Sequence, residues 1–504
     1  MHHARITVDP LSIVSPVRRG TFGSFVEHLG RCVYTGIFEP GHPTATPEGF
    51  RGDVLALVRE MGVSTVRYPG GNFVSGYNWE DGVGPVDERP VRLDLAWHSI
   101  ETNAFGLNEF VAWTRASGTE PMMAINLGTR GIAEAIEVLE YANFPGGTTR
   151  SDLRRSHGVE KPHDIRFWCL GNEMDGPWQL GHKTATEYGR LAAETARGMR
   201  QIDPDLVLVA CGSSGSNMPT FGEWEREVLS EAYDEVDMIS AHAYYREEDD
   251  LGSFLASAID MDHFVASVSA TADAVGVARG SKKKIGISFD EWNVWYHEEE
   301  DPITASGNRW DVAPRLEEDV YTVADAVVVG NLLISLLRNS DRVHSASQAQ
   351  LVNALAPIMT EPGGAAWRQT TFHPFALTSR FATGDVLRTV ITSDQYDTAR
   401  FGTSNLVDSV ATYDASTGSL SVFIVNRSVT ESTVVDVDAL RIDGLALIEA
   451  LTYTNDDVHW RATEMTAEDV VPQPNETVTV DGATASITLP PVSWSVMRFE
   501  VAAE

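Results

Sequence analysis

Between about residue 20 and about residue 370 the chain repeats one pattern. A short run of apolar and β-branched residues is followed by a longer stretch whose apolar positions recur three and four apart. The runs are TFGSFVEH (21–28), VSTVRYPGG (63–71), PMMAINLG (121–128), DIRFWCLGNE (164–173), LVLVACGSS (206–214), VDMISAHAYY (236–245), KIGISFDEW (284–292) and VHSASQAQLVNA (343–354). Short, nearly continuous apolar runs read as parallel strands covered on both faces. Stretches such as DVLALVREMG, TATEYGRLAAETARGMRQID and TVADAVVVGNLLISLLRN read as the intervening helices. Eight strands alternating with helices predict a closed (β/α)8 TIM barrel over residues 19–372. The eighth run matches least well, because its Ser, Gln and Asn content is unlike a core strand.

After HPFALTSRFATG (373–384) the period changes to two. SLSVFIVNRS, STVVDVDAL, LALIEALTY, TVTVDGATASITLP and SWSVMRFEVA alternate apolar and polar positions between Gly, Asn, Asp and Pro. This predicts an antiparallel β-sandwich, jelly-roll-like, over residues 373–504. ARITVDP near the start is also strand-like, so residues 1–18 are expected to supply a strand to that sandwich. No low-complexity linker divides the modules, which implies rigid packing. The fold class is therefore α/β plus all-β.

Charge narrows the function. Among 504 residues, 38 are basic and 72 acidic, a net charge of −34. Such a field repels phosphate backbones and anionic membranes, which excludes nucleic acid and membrane as partners. It also disfavours polyanionic substrates. The three cysteines, Cys32, Cys169 and Cys211, are widely spaced and offer no disulfide framework or metal spacing. The N-terminus lacks the apolar core of a secretion signal, and VVVGNLLISLLRNS is too short and too polar to span a bilayer. A cytoplasmic protein is expected.

The chemistry lies in two glutamates at the ends of predicted strands. Glu173 stands in IRFWCLGNEMDGPW and Glu291 in KKIGISFDEWNVWY. In a (β/α)8 barrel the C-terminal strand ends build the active site. Two carboxyl groups there, about 5–5.5 Å apart, could flank one glycosidic bond and cleave it with retention. One must stay protonated and the other ionised, and the charge of the second raises the pKa of the first. Glu173 is the better acid/base, since its neighbour Asn172 is an uncharged hydrogen-bonder suited to a sugar 2-hydroxyl. Glu291, following the seventh strand, is the better nucleophile. The competing reading of each is a structural carboxylate paired with arginine.

At this point the chain closely resembles the α-L-arabinofuranosidases of glycoside hydrolase family 51. The resemblance runs through FGSFVEHLGRCVYTGIFEPGHP, VRYPGGNFVSGYNWEDGVGP, RLDLAWHSIETNAFGLNEF, INLGTRG, WCLGNEMDGPWQLGHKTA, CGSSGSNMPTF and SFDEWNVWYH. It implies a barrel plus sandwich, with acid/base and nucleophile after strands four and seven. It implies exo-acting release of terminal α-L-arabinofuranosyl groups from oligo- or polysaccharides through a covalent glycosyl-enzyme. No metal or organic cofactor is implied, and a homo-hexamer is. Residue by residue, Glu27, Asn72, Asn172 and Gln348 resemble the furanose hydroxyl binders. Tyr244 resembles the tyrosine that orients the nucleophile, and Arg67 is expected beside Glu291. Trp97, Trp178 and Trp295 are candidates for the pocket walls. The family commonly has His-Gln-Tyr-Tyr where this chain has His242-Ala243-Tyr244-Tyr245, a departure expected to bear on leaving-group preference.

Each candidate has a structural alternative. Glu27 could salt-bridge Arg67, Asn72 could be a turn residue, and Gln348 could satisfy buried backbone groups at the barrel end. Tyr244 and Arg67 could serve packing and an unrelated ion pair, and the tryptophans could be packing alone. His242 reads as a satisfied barrel histidine first and as an acid or base second. His297 with Glu298, Glu299, Glu300 and Asp301 reads as a solvated mobile loop over the cleft rather than a metal site. Two other functions remain: an endo-β-glucanase or β-xylosidase on the same scaffold, or a non-catalytic carbohydrate-binding barrel.

Overall fold

The computed structural model describes residues 1–296 and 310–501. The acidic run 298–301 and His297 lie outside the described residues. Eight parallel strands close into a barrel: β1 (Gly23–Phe25), β2 (Thr65–Tyr68), β3 (Glu120–Ala124), β4 (Phe167–Leu170), β5 (Val207–Ala210), β6 (Met238–Tyr245), β7 (Gly286–Val294) and β8 (Val343–Gln348). The polar eighth run does complete the barrel. It pairs with β7 through Ser345 and Ala346 and with β1 through Ser347 and Gln348.

Local chemistry sets the helices between the strands. Thr184 and Thr322 each accept a backbone N–H three residues on, from Glu187 and Asp325, whose carboxylates return the bond to the threonine N–H. These reciprocal capping boxes satisfy amides that the first helical turn would otherwise leave unpaired.

The sandwich consists of a five-stranded and a seven-stranded sheet. The chain's first strand, His2–Val8, lies within the five-stranded sheet, parallel to Thr433–Ala439 and antiparallel to Val390–Ser393. Ile13–Pro16 edges the other sheet against Asp385–Leu387. Between the sheets Ile6, Val8, Val422, Ile424, Val437, Ile487 and Phe499 form a core of their own.

The helix Val323–Arg338 joins the two modules. Every residue from Val323 to Leu337 is buried, because barrel helices cover one side and the sandwich strand residues Phe423, Val425, Trp494 and Val496 cover the other. A helix apolar all round needs burial on all sides, and this position supplies it. Gly330 permits the approach, since a Cβ there would stand 2.2 Å from the Trp494 ring. Arg427 ties the seam by donating to Asp408 and to Asn331 of the helix.

Candidate active site

β4 ends at Leu170, and Gly171 turns the chain with φ of +99°. Glu173 itself takes φ of +43°, a conformation that costs a residue with a Cβ and that clusters at functional sites. The turn aims its carboxyl over the barrel mouth. Glu291 lies within β7 rather than after it, because the strand continues to Val294.

The pairing around Glu291 is irregular on both sides. Ser240 and His242 on β6 face Ser288 and Glu291 on β7, and Phe289 and Trp292 face Ala346 and Gln348 on β8. Three steps on β7 thus match two on each neighbour, a bulge at Asp290–Glu291. It breaks the alternation that would send adjacent side chains to opposite faces, so both carboxylates reach the same cluster.

The two glutamates have different partners. Glu291 accepts from Arg67 Nη1 at 2.7 Å on Oε1 and from the Tyr244 hydroxyl at 2.7 Å on Oε2. A guanidinium and a phenol suit a carboxylate rather than a neutral acid. Burial opposes the charge on Arg67, but Asp290 and Glu291 outweigh it and keep the guanidinium protonated. Glu173 has neutral or shared-proton partners instead. Its Oε2 accepts from Trp178 Nε1 at 2.6 Å, and its Oε1 lies 2.9 Å from His242 Nδ1. Burial pushes the Glu173 pKa up and Glu291 adds to it, against the pull of His242. Oxygens of the two glutamates and the His242 nitrogen lie within 4.8 Å of one another. Such a close approach fits the short separation of a retaining pair.

The chain as a whole is similar to known proteins. Residues 57–271 match the model of the alpha-L-arabinofuranosidase 1 domain, and residues 290–493 match that of the alpha-L-arabinofuranosidase C-terminal domain. A Streptomyces lividans protein named intracellular exo-α-(1→5)-L-arabinofuranosidase is 57% identical over 99% of this chain and 75% of its own length. A Bifidobacterium longum exo-α-(1→6)-L-arabinofuranosidase is 54% identical, covering 99% and 97%. The solved structure of a family 51 α-L-arabinofuranosidase from Bifidobacterium longum superposes with a TM-score of 0.94 at 46% identity, covering 99% of this chain and 100% of that one. The chain belongs to the family 51 α-L-arabinofuranosidases.

Within this arabinofuranosidase the remaining candidates divide into two groups. Asn172 is buried and accepts from Arg67 Nη2 at 2.5 Å, while its amide faces Asn72 at 3.5 Å and Gln179 at 3.4 Å. Glu27, 2% exposed, accepts from the Phe73 amide, Trp97 Nε1 and Gln350 Nε2, each at 2.9 Å. Arg67 spends its terminal nitrogens on Glu291 and Asn172, so Glu27 is not its salt-bridge partner. Burial pushes the Glu27 pKa up to about 8. Trp97 thus lies against Glu27. Trp178, 52% exposed, stands beside Glu173. The Trp295 ring meets Tyr244 edge-on at 5.0 Å, and its Nε1 donates to Glu317.

Gln348, expected among the furanose binders, is fully buried, and its Nε2 donates to Asn293 at 3.2 Å at the end of β8. Gln350, two residues on, is the glutamine that reaches Glu27. Ala243 does not border the site. Strand alternation sends Ala241, Ala243 and Tyr245 into the core beneath the helices, while His242 and Tyr244 point to the carboxylates. The departure at position 243 is a packing change behind the strand. His242, read as a satisfied barrel histidine, is buried with both ring nitrogens partnered, and it also stands between the catalytic candidates, with Nε2 2.8 Å from Asp290 Oδ1. Its position two residues before Tyr244 on one strand was the available signal.

Proposed function

We propose that this α-L-arabinofuranosidase removes terminal α-L-arabinofuranosyl groups one at a time with retention of configuration. The spacing of Glu173 and Glu291 carries the reading, since their oxygens approach within 4.8 Å. Glu291, oriented by Arg67 and Tyr244, attacks the anomeric carbon. Glu173, whose proton affinity is raised by burial and by Glu291, protonates the departing oxygen. A covalent arabinosyl-enzyme results. Glu173 then takes a proton from water, which releases arabinose.

Glu27, Asn72, Asn172 and Gln350 are the furanose binders in this reading. Glu27 and Asn172 are buried beside the two glutamates, with Trp97 donating to Glu27 and Tyr244 to Glu291, a polar lining that suits the hydroxyls of one terminal sugar. Trp178 and Trp295 border the leaving-group side. The relatives' names divide between 1→5 and 1→6 linkages, so the proposal commits to the terminal furanosyl group and not to one linkage. Arabinose-bearing oligosaccharides taken into the cell are the natural substrates we favour. Several relatives are named intracellular, and among the described residues no helix is long and apolar enough to cross a membrane. Assembly as a hexamer is the expectation that sedimentation would check.

Proton NMR of a linear arabino-oligosaccharide digest tests the reading. Arabinose should be the sole early product, appearing first as the α-anomer. Early release of larger fragments, or of the β-anomer, would contradict it.

A further inference from the structure

Glu173 has both oxygens occupied, and neither partner is a leaving group. Trp178 donates to Oε2 and His242 Nδ1 faces Oε1. The other ring nitrogen, Nε2, faces Asp290 Oδ1 at 2.8 Å. Asp290 is 1% exposed and is held from its other oxygen by the Cys169 thiol at 3.6 Å and by Arg67 Nε at 4.0 Å. A carboxylate so placed keeps a hydrogen on Nε2, which leaves Nδ1 as the ring atom that can gain or lose a proton. That same Nδ1 lies 3.5 Å from Glu291 Oε2. One imidazole nitrogen therefore faces both members of the catalytic pair.

We infer that His242 stores the proton that Glu173 delivers, and that the charge on Glu291 decides when it is released. The inference rests on the acid/base reading of Glu173. In the free enzyme the proton is on Nδ1, and ionised Glu173 accepts from both His242 and Trp178. When Glu291 attacks, its lone pair becomes the bond to the anomeric carbon and its negative charge disappears beside Nδ1. The proton then passes to Glu173 and on to the leaving oxygen, which departs with the electron pair of the broken carbon–oxygen bond. His242 is left neutral, still donating from Nε2 to Asp290. In the second half, water's oxygen bonds the anomeric carbon and the ester to Glu291 breaks. The charge returns to Glu291, and water's proton travels through Glu173 back to Nδ1.

The groups facing His242 agree with this cycle. Burial opposes a charged imidazole, but Glu291, Asp290 and Glu173 overcome it and raise its pKa well above the ordinary value. The Glu173 pKa is raised as well, so the pair holds one proton more firmly than either group alone would. Tyr244 donates to Glu291 rather than to the ring. Arg67 balances the carboxylates from β2, and the buried Cys169 and Cys211 thiols on the β4 and β5 side add no charge because burial pushes their pKa values up.

The test is kcat/KM against pH for His242→Gln, on an α-linked arabinofuranosyl disaccharide and on 4-nitrophenyl α-L-arabinofuranoside. With only Glu173 left to hold the proton, the basic limb should move to lower pH. The disaccharide should lose roughly a hundredfold, and the nitrophenyl glycoside, which needs little protonation, less than about tenfold. Asp290→Asn keeps a hydrogen bond but removes a charge, so it should move the limb the same way by less. It carries the test if the Gln variant does not fold. An unmoved basic limb, or equal losses on the two substrates, would overturn the inference. Glu173→Ala assayed alongside separates the two readings. Leaving-group selectivity there but not in His242→Gln sinks the reservoir alone, whereas selectivity in neither sinks the acid/base assignment.

Discussion

The turn after β4 and the bulge within β7 present the same side chain in two electrostatic settings. At the β7 bulge, Glu291 meets a guanidinium and a hydroxyl, both committed donors. At the end of β4, Glu173 meets an indole N–H and an imidazole that can trade a proton. Both sites are buried, so burial alone does not distinguish them. The partners do: a fixed cation faces Glu291, while at Glu173 desolvation and the neighbouring charge of Glu291 raise the proton affinity against the pull of His242. In the proposed mechanism two identical residues act as nucleophile and acid because their neighbours differ.

Removing either carboxyl should break the comparison in a different way. Glu291→Ala should abolish turnover of every arabinofuranoside, a loss of at least about ten-thousand-fold by nitrophenol release. Glu173→Ala should cost an arabinofuranosyl disaccharide about 10²–10⁴-fold in kcat/KM while sparing the nitrophenyl glycoside. Equal losses on both substrates would reverse or void the role assignment.

Smaller changes sharpen it. Tyr244→Phe deletes the donor to Glu291 Oε2 and leaves Arg67 in place. A charge-assisted bond of about 1.5–3 kcal/mol implies a fall in kcat of roughly ten- to a hundredfold, visible in steady-state rates. Gln350→Ala should raise KM several-fold, whereas Gln348→Ala should lower the melting temperature and leave KM nearly unchanged.

Glu27 supplies the pH dependence. Its pKa is raised to about 8 in the folded chain from an ordinary value near 4.5. Between these values the unfolded chain releases the proton and the native chain keeps it, so the stability this group contributes falls as pH rises from about 4.5 to about 8. Glu27→Gln should flatten that part of the melting-temperature profile. A variant profile parallel to wild type would show that Glu27 titrates normally.

How much of this was legible in the sequence depended on whether periodicity carried it. The eight barrel strands overlap the runs read as strands, and the alternating segments after residue 384 are sandwich strands, because burial on two faces or one leaves those patterns directly. Asp385–Leu387, Val390–Ser393 and Val407–Asp414 were not read. The first strand's place in the sandwich was readable for the same reason. Asp290 was not, because the β7 bulge turns it to the same side as Glu291 and a strict alternation sends it away. Gln348 and Gln350 share a parity, so periodicity cannot choose between them. The choice depends on β8 ending at Gln348, after which the chain leaves the barrel and the next glutamine meets Glu27. Ala243 is the opposite case: strand parity alone would have turned it to the core. The contacts of Arg67 and Tyr244 with Glu291 followed from resemblance, since residues 67, 244 and 291 come from three strands and no local pattern joins them.

The most direct test of the two roles is mass spectrometry of Glu173→Ala mixed with 4-nitrophenyl α-L-arabinofuranoside. This variant should form the glycosyl-enzyme readily and hydrolyse it slowly. The account predicts one arabinosyl group attached to the peptide that contains Glu291, formed as nitrophenol is released. Nitrophenol release with no labelled peptide, or a label on any other residue, would contradict it.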